Sequence, residues 1–412
     1  MRFVPSYPKE LWILAIGMFI NITGASFLWP MNAIYMTQVL GQSLSTAGTV
    51  LMLHAGAGML GNLLGGNLYD RIGGKRTVLL GVGLGTLSAF SLSLANEWHI
   101  YIALMIALGF GNGVVFPAIY AMAGWVWPEG RRKSFNAIYV FQNVGVACGT
   151  AIGGLVAQIS FTYVFIVNGL TFLIFISIVW FGIQSHNATQ LRDGEVTRET
   201  NASRPKHLGN GYLSLFILSL GFMACWMSYV QWQTSISVYM QELGFTLSSY
   251  SVLWTINGLI IILAQPFNAY ITKVWIPSVK AQLATGVFIF IGALVLLSQT
   301  NVYSGFLIAM VIMTIGEIFI WPAVPTAAQD LAPIGRKGLY QGVVGSAATA
   351  GRMLGPLVGG YIFEIYHAQV LFYSMIAFCV LSMVSFMVYD LSFKSKHTTI
   401  SREQQGEQSL SQ

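Results

Sequence analysis

Apolar residues in this chain come in long unbroken runs, neither alternating as in a half-buried strand nor confined to one helical stripe. Twelve runs stand out: Leu11–Tyr35, Leu44–Leu68, Val78–Leu94, Ile100–Trp127, Phe135–Ala157, Tyr163–Ile183, Tyr212–Met240, Tyr250–Ile271, Leu283–Leu297, Tyr303–Ala328, Tyr340–Ile362 and Val370–Tyr389. About 20 apolar residues in a helix cross the hydrocarbon layer of a bilayer. The pattern predicts an all-α integral membrane protein with twelve transmembrane helices. The longest polar segment, Gln184–Gly211, falls midway and mixes charges, Asn, Thr and Gly without an apolar period. It predicts a linker, residues 184–211, between two six-helix bundles at 1–183 and 212–390. The tail, 391–412, is rich in Ser, Gln and charge and is expected to be disordered.

Composition agrees. The chain is 55% hydrophobic and only 8% charged, with a mean hydropathy of +0.67, whereas soluble domains carry about 25% charged residues. Placing the N-terminus in the cytoplasm and alternating twelve helices puts 19 of the 20 Lys and Arg in inner segments and none in outer loops. Such a bias sets orientation, so both termini are expected to be cytoplasmic; the short loops and the length of 412 residues predict residence in the plasma membrane. The remaining basic residue, Arg352, lies inside a run. The net charge of +6 is spread over every inner loop rather than gathered in a patch, so no nucleic-acid partner is implied. The expected partners are the lipid bilayer and a small-molecule substrate, with the chain acting as a monomer. The first run is full length and lacks a small-residue cleavage pattern, which predicts no cleaved signal peptide.

Neither a cofactor nor a metal site is expected. Cys148, Cys225 and Cys379 all fall within runs and read as packing residues. The soluble segments are too short for a nucleotide-binding domain, and no G-x-x-x-x-G-K-[ST] occurs. Gly81-x-Gly83-x-Gly85 is inside a run. The composition predicts neither an enzyme nor an ATP-driven pump, so transport would draw on an ion gradient or on the substrate's own gradient.

The two halves repeat. Gly111, Pro117, Ala118, Pro128, Gly130 and Arg131 each have an identical residue 205 positions later, at Gly316, Pro322, Ala323, Pro333, Gly335 and Arg336. Gly145, Gly149, Gly153 and Gly154 recur 206 positions later as Gly351, Gly355, Gly359 and Gly360. Leu40-Gly41 and Leu44-Ser45 match Leu243-Gly244 and Leu247-Ser248. Duplicated six-helix halves with a substrate site between them are a transporter architecture.

Between the second and third runs lies G-N-L-Y-D-R-I-G-G-K-R, Gly66 to Arg76. Asp70 follows an apolar run, near a helix C-terminus that disfavours an acid, so it needs a partner. A solvated turn obeying the inner-charge bias accounts for Arg71, Lys75 and Arg76 but not for the Asp or the glycines. The pattern G-x-x-x-D-R-x-G-x-[KR]-[KR] resembles the signature loop of the major facilitator superfamily, at Gly66, Asp70, Arg71, Gly73, Lys75 and Arg76. Gly74 departs from it, since a basic residue is more usual there. The resemblance implies the major facilitator fold. It also implies that Asp70 contacts the start of the eleventh helix, near Lys337–Tyr340, when the cavity faces outward. The repeat sets Lys273 opposite Asp70, so the motif exists only in the first half.

The fifth run reads G-V-A-C-G-T-A-I-G-G and the eleventh G-R-M-L-G-P-L-V-G-G. Glycines four apart line one helix face and admit a close neighbour, so Gly145, Gly149, Gly153, Gly351, Gly355 and Gly359 read as packing positions. With Pro356, G-x-x-x-G-P-x-x-G-G is similar to the antiporter motif of proton-linked drug exporters. Those carry it on helix five, where this chain has Thr150 in place of the Pro. The Arg they usually carry in helix four corresponds to Ala107 here.

Two ionisable residues lie deep in runs: Glu317 is about 20 Å along the tenth helix from its outer end, and Arg352 about 20 Å along the eleventh from its inner end, at 1.5 Å per residue. A charge there costs at least about 2.5–3.5 kcal/mol and normally faces the bundle interior. Either they form a structural ion pair, or Glu317 faces the cavity and carries a proton; both are candidates for proton coupling. The repeat sets Asn112, Phe116 and Tyr120 against Glu317, Trp321 and Pro325, two stripes spaced i, i+4, i+8. In the family that this chain resembles, helices one, four, seven and ten line the cavity. The implied lining is Asn21, Trp29, Asn32, Asn112, Phe116, Tyr120, Trp226, Gln233 and Trp321. His54 reads as a packing histidine, and Gln142 and Asn143 as interhelical hydrogen bonders.

The expected function is secondary export of small lipophilic compounds, cationic ones among them, by proton antiport with alternating access. The alternative is uptake or exchange of a polar nutrient or organic anion on the same fold. A receptor or scaffold built on this fold is a third reading.

Overall fold

The computed structural model describes residues 7–95, 97–130, 132–184 and 211–391. The expected linker lies outside the described residues apart from Gln184 and Gly211, as does the tail beyond Leu391. Among the described residues all regular structure is helical. The first half holds α1 (Lys9–Ile34), α2 (Leu44–Ile72), α3 (Gly74–Leu92), α4 (Trp98–Val126), α5 (Arg132–Ile159) and α6 (Phe161–Gly182). The second holds α7 (Tyr212–Tyr229), α8 (Ser235–Glu242), α9 (Leu247–Leu263), α10 (Gln265–Val274), α11 (Val279–Ser298), α12 (Tyr303–Leu331) and α13 (Lys337–Val388).

Each of the twelve apolar runs is helical, with three departures from simple rods. The seventh run breaks into α7 and α8 through a 3-10 turn, Val230–Gln233. The eighth bends by 55° between α9 and α10, where Pro266 sits in the first turn of the new helix and has no N–H to give the old one. The eleventh and twelfth join in α13, which kinks at His367, a residue at φ 62°. Eight helices among the described residues are long and apolar enough to cross a membrane, and the bent pair makes a ninth.

The internal repeat is visible in the caps. Gly41 and Gly244 both adopt positive φ, 66° and 86°, which glycine tolerates without strain. Two residues later a hydroxyl caps the next helix: Ser43 accepts from Thr46 N–H and Thr246 from Ser249 N–H.

Buried apolar side chains form two clusters. One draws on residues from Leu11 to Ile183. The other draws on residues from Leu215 to Tyr389, together with a single buried residue of the first half, Tyr139. Within the first half α1 packs on α5 and α6, and α4 on α2 and α3; within the second α7 packs on α13, and α11 on α12 and α13. Between the halves, α2 packs on α13, and α5 on α12 and α9.

Candidate functional site

At the end of the bundle where α2 turns into α3, Asp70 meets the start of α13. Its Oδ1 accepts from Gly338 N–H at 2.9 Å and its Oδ2 from Leu339 N–H at 2.8 Å. These N–H groups have no partner inside their own helix, and the helix dipole favours an anion there. The two backbones also meet: a Cβ on Gly66 or on Gly338 would overlap the other's carbonyl oxygen. Gly73 caps α2 at φ 87°. Lys75 donates to Trp180 C=O at 2.6 Å, while Arg71 and Arg76 are exposed. Gly74 has a steric reason to depart from the family pattern, because a Cβ there would run into Met122 and come 3.0 Å from the Tyr69 ring.

Further inter-half hydrogen bonds follow from this end inward. Ser346 donates to Met59 C=O, Asn62 to Thr349 Oγ1 and Asn136 to Gln265 Oε1. Arg132, the first residue of α5, reaches Ile318 C=O at 2.8 Å. That carbonyl is available because Pro322, four residues on, has no N–H to donate.

The glycine faces are used symmetrically. Gly145 and Gly149 of α5 lie against the α1 backbone, where a Cβ on Gly145 would sit 2.7 Å from Phe19 C=O. Gly351 and Gly355 of α13 lie against α7, where a Cβ on Gly351 would sit 2.5 Å from Met223 C=O. Gly359 abuts the Gln231 side chain. The side-chain surroundings of Gly153 lie outside the described residues. Pro356 lies inside α13 and is partly buried.

Glu317 does not pair with Arg352. It is 2% exposed, and three donors converge on its carboxylate. Tyr139 O–H donates to Oε1 at 2.8 Å; Tyr229 O–H and Asn257 Nδ2 each donate to Oε2 at 2.9 Å. Asn257 also reaches Thr314 Oγ1 at 2.9 Å. This shell suits an ionised carboxylate, which can only accept. It draws on α5 of one half and on α7 and α9 of the other. Arg352 lies elsewhere, with its guanidinium carbon 4.7 Å from the Trp226 ring centroid and Nη2 donating to Thr349 Oγ1 at 3.3 Å.

Aromatic rings join the two regions. Trp226 stacks on Trp321 at 4.8 Å and 22°. Tyr229, Phe222 and Phe290 meet Trp321 edge-on at 5.3, 5.6 and 5.9 Å.

The two symmetry-related stripes have different fates. Between Gly111 and Gly124 of α4, only Asn112, Phe116 and Tyr120 are partly exposed. The matching positions of α12, Glu317, Trp321 and Pro325, are buried, because the aromatic rings and α5 close over them. They are not an open wall. Asn21 and Asn32 also differ from expectation: both are buried between helices, at 2% and 5% exposure, and Asn32 accepts from Tyr101 O–H. The Trp29 side chain lies outside the described residues. Gln233 is partly exposed at the 3-10 break. Tyr120 donates to Gln142 Oε1, Asn143 to Tyr139 C=O, and His54 Nδ1 bonds Met105 C=O at 2.8 Å.

The profile of the Major Facilitator Superfamily matches residues 14–333 and 234–412. The chain belongs to the major facilitator superfamily. It is a membrane transporter of that superfamily. An uncharacterized MFS-type transporter of Bacillus subtilis, YttB, is 49% identical over 395 residues, which is 95% of this chain and 98% of the relative. The quinolone resistance protein NorA of Staphylococcus aureus is 23% identical, with 87% of this chain and 91% of NorA aligned. Among solved structures, the human organic anion transporter MFSD10 superposes with a TM-score of 0.76 at 15% identity, covering 93% of this chain and all of that one. At that identity the likeness shows the major facilitator fold alone.

Sequence reading missed Tyr139, Tyr229, Asn257 and Gln231. Asn257 gave a signal, a polar residue deep in an apolar run. Gln231 gave another, two residues before Gln233. It is buried and donates to Gly355 C=O at 2.7 Å. Nothing local links Tyr139 to a carboxylate 178 positions away.

Proposed function

We propose that this major facilitator transporter exports small lipophilic compounds across the plasma membrane in exchange for protons, by alternating access between two six-helix bundles. The observation that carries this reading is Glu317. It is a carboxylate held deep in the protein by donors from both halves, so its proton state and the fit of the halves depend on each other. Taking up a proton fills one acceptor lone pair and disturbs the shell; releasing it restores the shell. The resemblance of the α13 motif to that of drug exporters and the relatedness to NorA support export. The bonds of Asp70 to Gly338 and Leu339 fit a state closed on the cytoplasmic side. Burial of Asn21 and Asn32 weakens the polar-nutrient reading, which needs convergent hydrogen bonders in the cavity.

The test is efflux of a fluorescent lipophilic dye from cells expressing wild type or Glu317→Gln, with and without a protonophore. Protonophore-sensitive efflux that Glu317→Gln abolishes is expected. Efflux that persists in Glu317→Gln would remove the carboxylate from the mechanism. No efflux of any dye by well-expressed wild type would overturn lipophilic export.

A further inference from the structure

Arg352 is a charged residue near the middle of a membrane helix, yet its side chain is exposed. The exposure is not to lipid. Leu354, Leu357 and Tyr361 are the exposed apolar face of this part of α13, and at 3.6 residues per turn they lie on the side away from Arg352. Gly351 and Gly355 turn toward α7, and Ser346 toward α2. The guanidinium therefore points into the space between the halves. There it lies over the Trp226 ring, on a helix that packs against α4. One N–H bonds Thr349, which Asn62 of α2 holds in turn. Among the described residues no carboxylate pairs with it, since the Glu317 oxygens are taken by Tyr139, Tyr229 and Asn257. A guanidinium has five N–H donors in a planar fork that matches a carboxylate.

We infer that Arg352, Trp226 and the part-exposed stripe of Phe116 and Tyr120 form a subsite for a lipophilic aromatic carboxylate. The carboxylate takes the free edge of the guanidinium, and the planar ring lies along the aromatic side chains. The arriving anion supplies the counter-charge that the protein withholds, while a cationic substrate meets like charge. Thr349 and Asn62 act as positioning residues that fix the guanidinium. This names the substrate class of the exporter proposed above and rests on that reading.

The experiment measures equilibrium binding to the full-length chain in lipid nanodiscs, read by quenching of tryptophan emission. Three probes share one ring system and differ in charge: naphthoate, naphthamide and naphthylmethylammonium. Wild type is expected to bind naphthoate at least about 10-fold more tightly than the other two. Arg352→Gln is expected to erase that preference, and a circular-dichroism spectrum and unfolding midpoint close to those of wild type report an intact fold. Arg352→Lys is expected to retain part of the preference, as a point charge without the fork. Equal binding of naphthoate and naphthamide by wild type, tighter binding of the ammonium, or naphthoate binding that survives Arg352→Gln would overturn the subsite. Absence of binding of every probe by folded wild type would overturn it too. Binding needs no gradient. A naphthoate preference without protonophore-sensitive efflux therefore sinks the export reading alone, and efflux without the preference sinks the subsite alone.

Discussion

The Tyr139 hydroxyl of α5 donates to Glu317 Oε1 of α12 at 2.8 Å, from one half of the molecule to the other. A hydrogen bond to a charged group contributes about 1.5–3 kcal/mol, enough to move a two-state balance between the halves about 10- to 100-fold. Tyr139→Phe removes the hydroxyl and keeps the ring. Spin labels at Arg76 and Lys273, one exposed position on each half, are expected to show a larger population of long distances in this variant. Glu317→Gln is expected to shift the same distances, and acidification to shift them in wild type but not in Glu317→Gln.

Asp70 offers two oxygens to two N–H groups at the start of α13. Asp70→Asn leaves one acceptor and no charge, and is expected to weaken the closed contact by about 1–2 kcal/mol. The same pair of labels reads the outcome, and transport turnover should fall with little change in the thermal unfolding midpoint.

Glycines on the helix-packing faces differ from glycines beside them. A Cβ on Gly351 would lie 2.5 Å from Met223 C=O and 2.6 Å from Trp226 Cβ, whereas one on Gly360 would meet nothing within 4 Å. Gly351→Ala is expected to destabilise by about 1–3 kcal/mol through overpacking. Gly360→Ala should be neutral or mildly stabilising. Unfolding midpoints in detergent separate the two.

Gly74 stands where the signature loop more usually has a basic residue. Gly74→Arg restores the usual residue, yet it is expected to lower the unfolding midpoint, because its Cβ would collide with Met122. A rise in the midpoint would show that Met122 can swing aside.

Much of the fold was legible because its causes are local. A bilayer leaves a chain no way to satisfy its backbone except helices or closed barrels, so run length alone marked the helices. The repeat survived in glycines and prolines, residue types that backbone approach and missing N–H groups demand. Asp70, at the C-terminal end of α2, needed a partner, and the start of α13 supplies it. In α4 the stripe of Asn112, Phe116 and Tyr120 is the part-exposed one.

The tertiary structure decided what the runs could not say. A helix that is apolar all round carries no record of which way it is rotated, so Asn21 and Asn32 could be placed on one face but not inside or outside the cavity. Glu317 and Arg352 lie at similar depth on neighbouring runs, yet depth does not fix direction. Packing turned the carboxylate toward Tyr139, Tyr229 and Asn257 and the guanidinium onto Trp226. The sequence alone determined where apolar helices form and that the two halves of the chain repeat each other. Only the meeting of those halves decided which side chains face one another, because rotation and register between helices are set by side chains far apart in the chain.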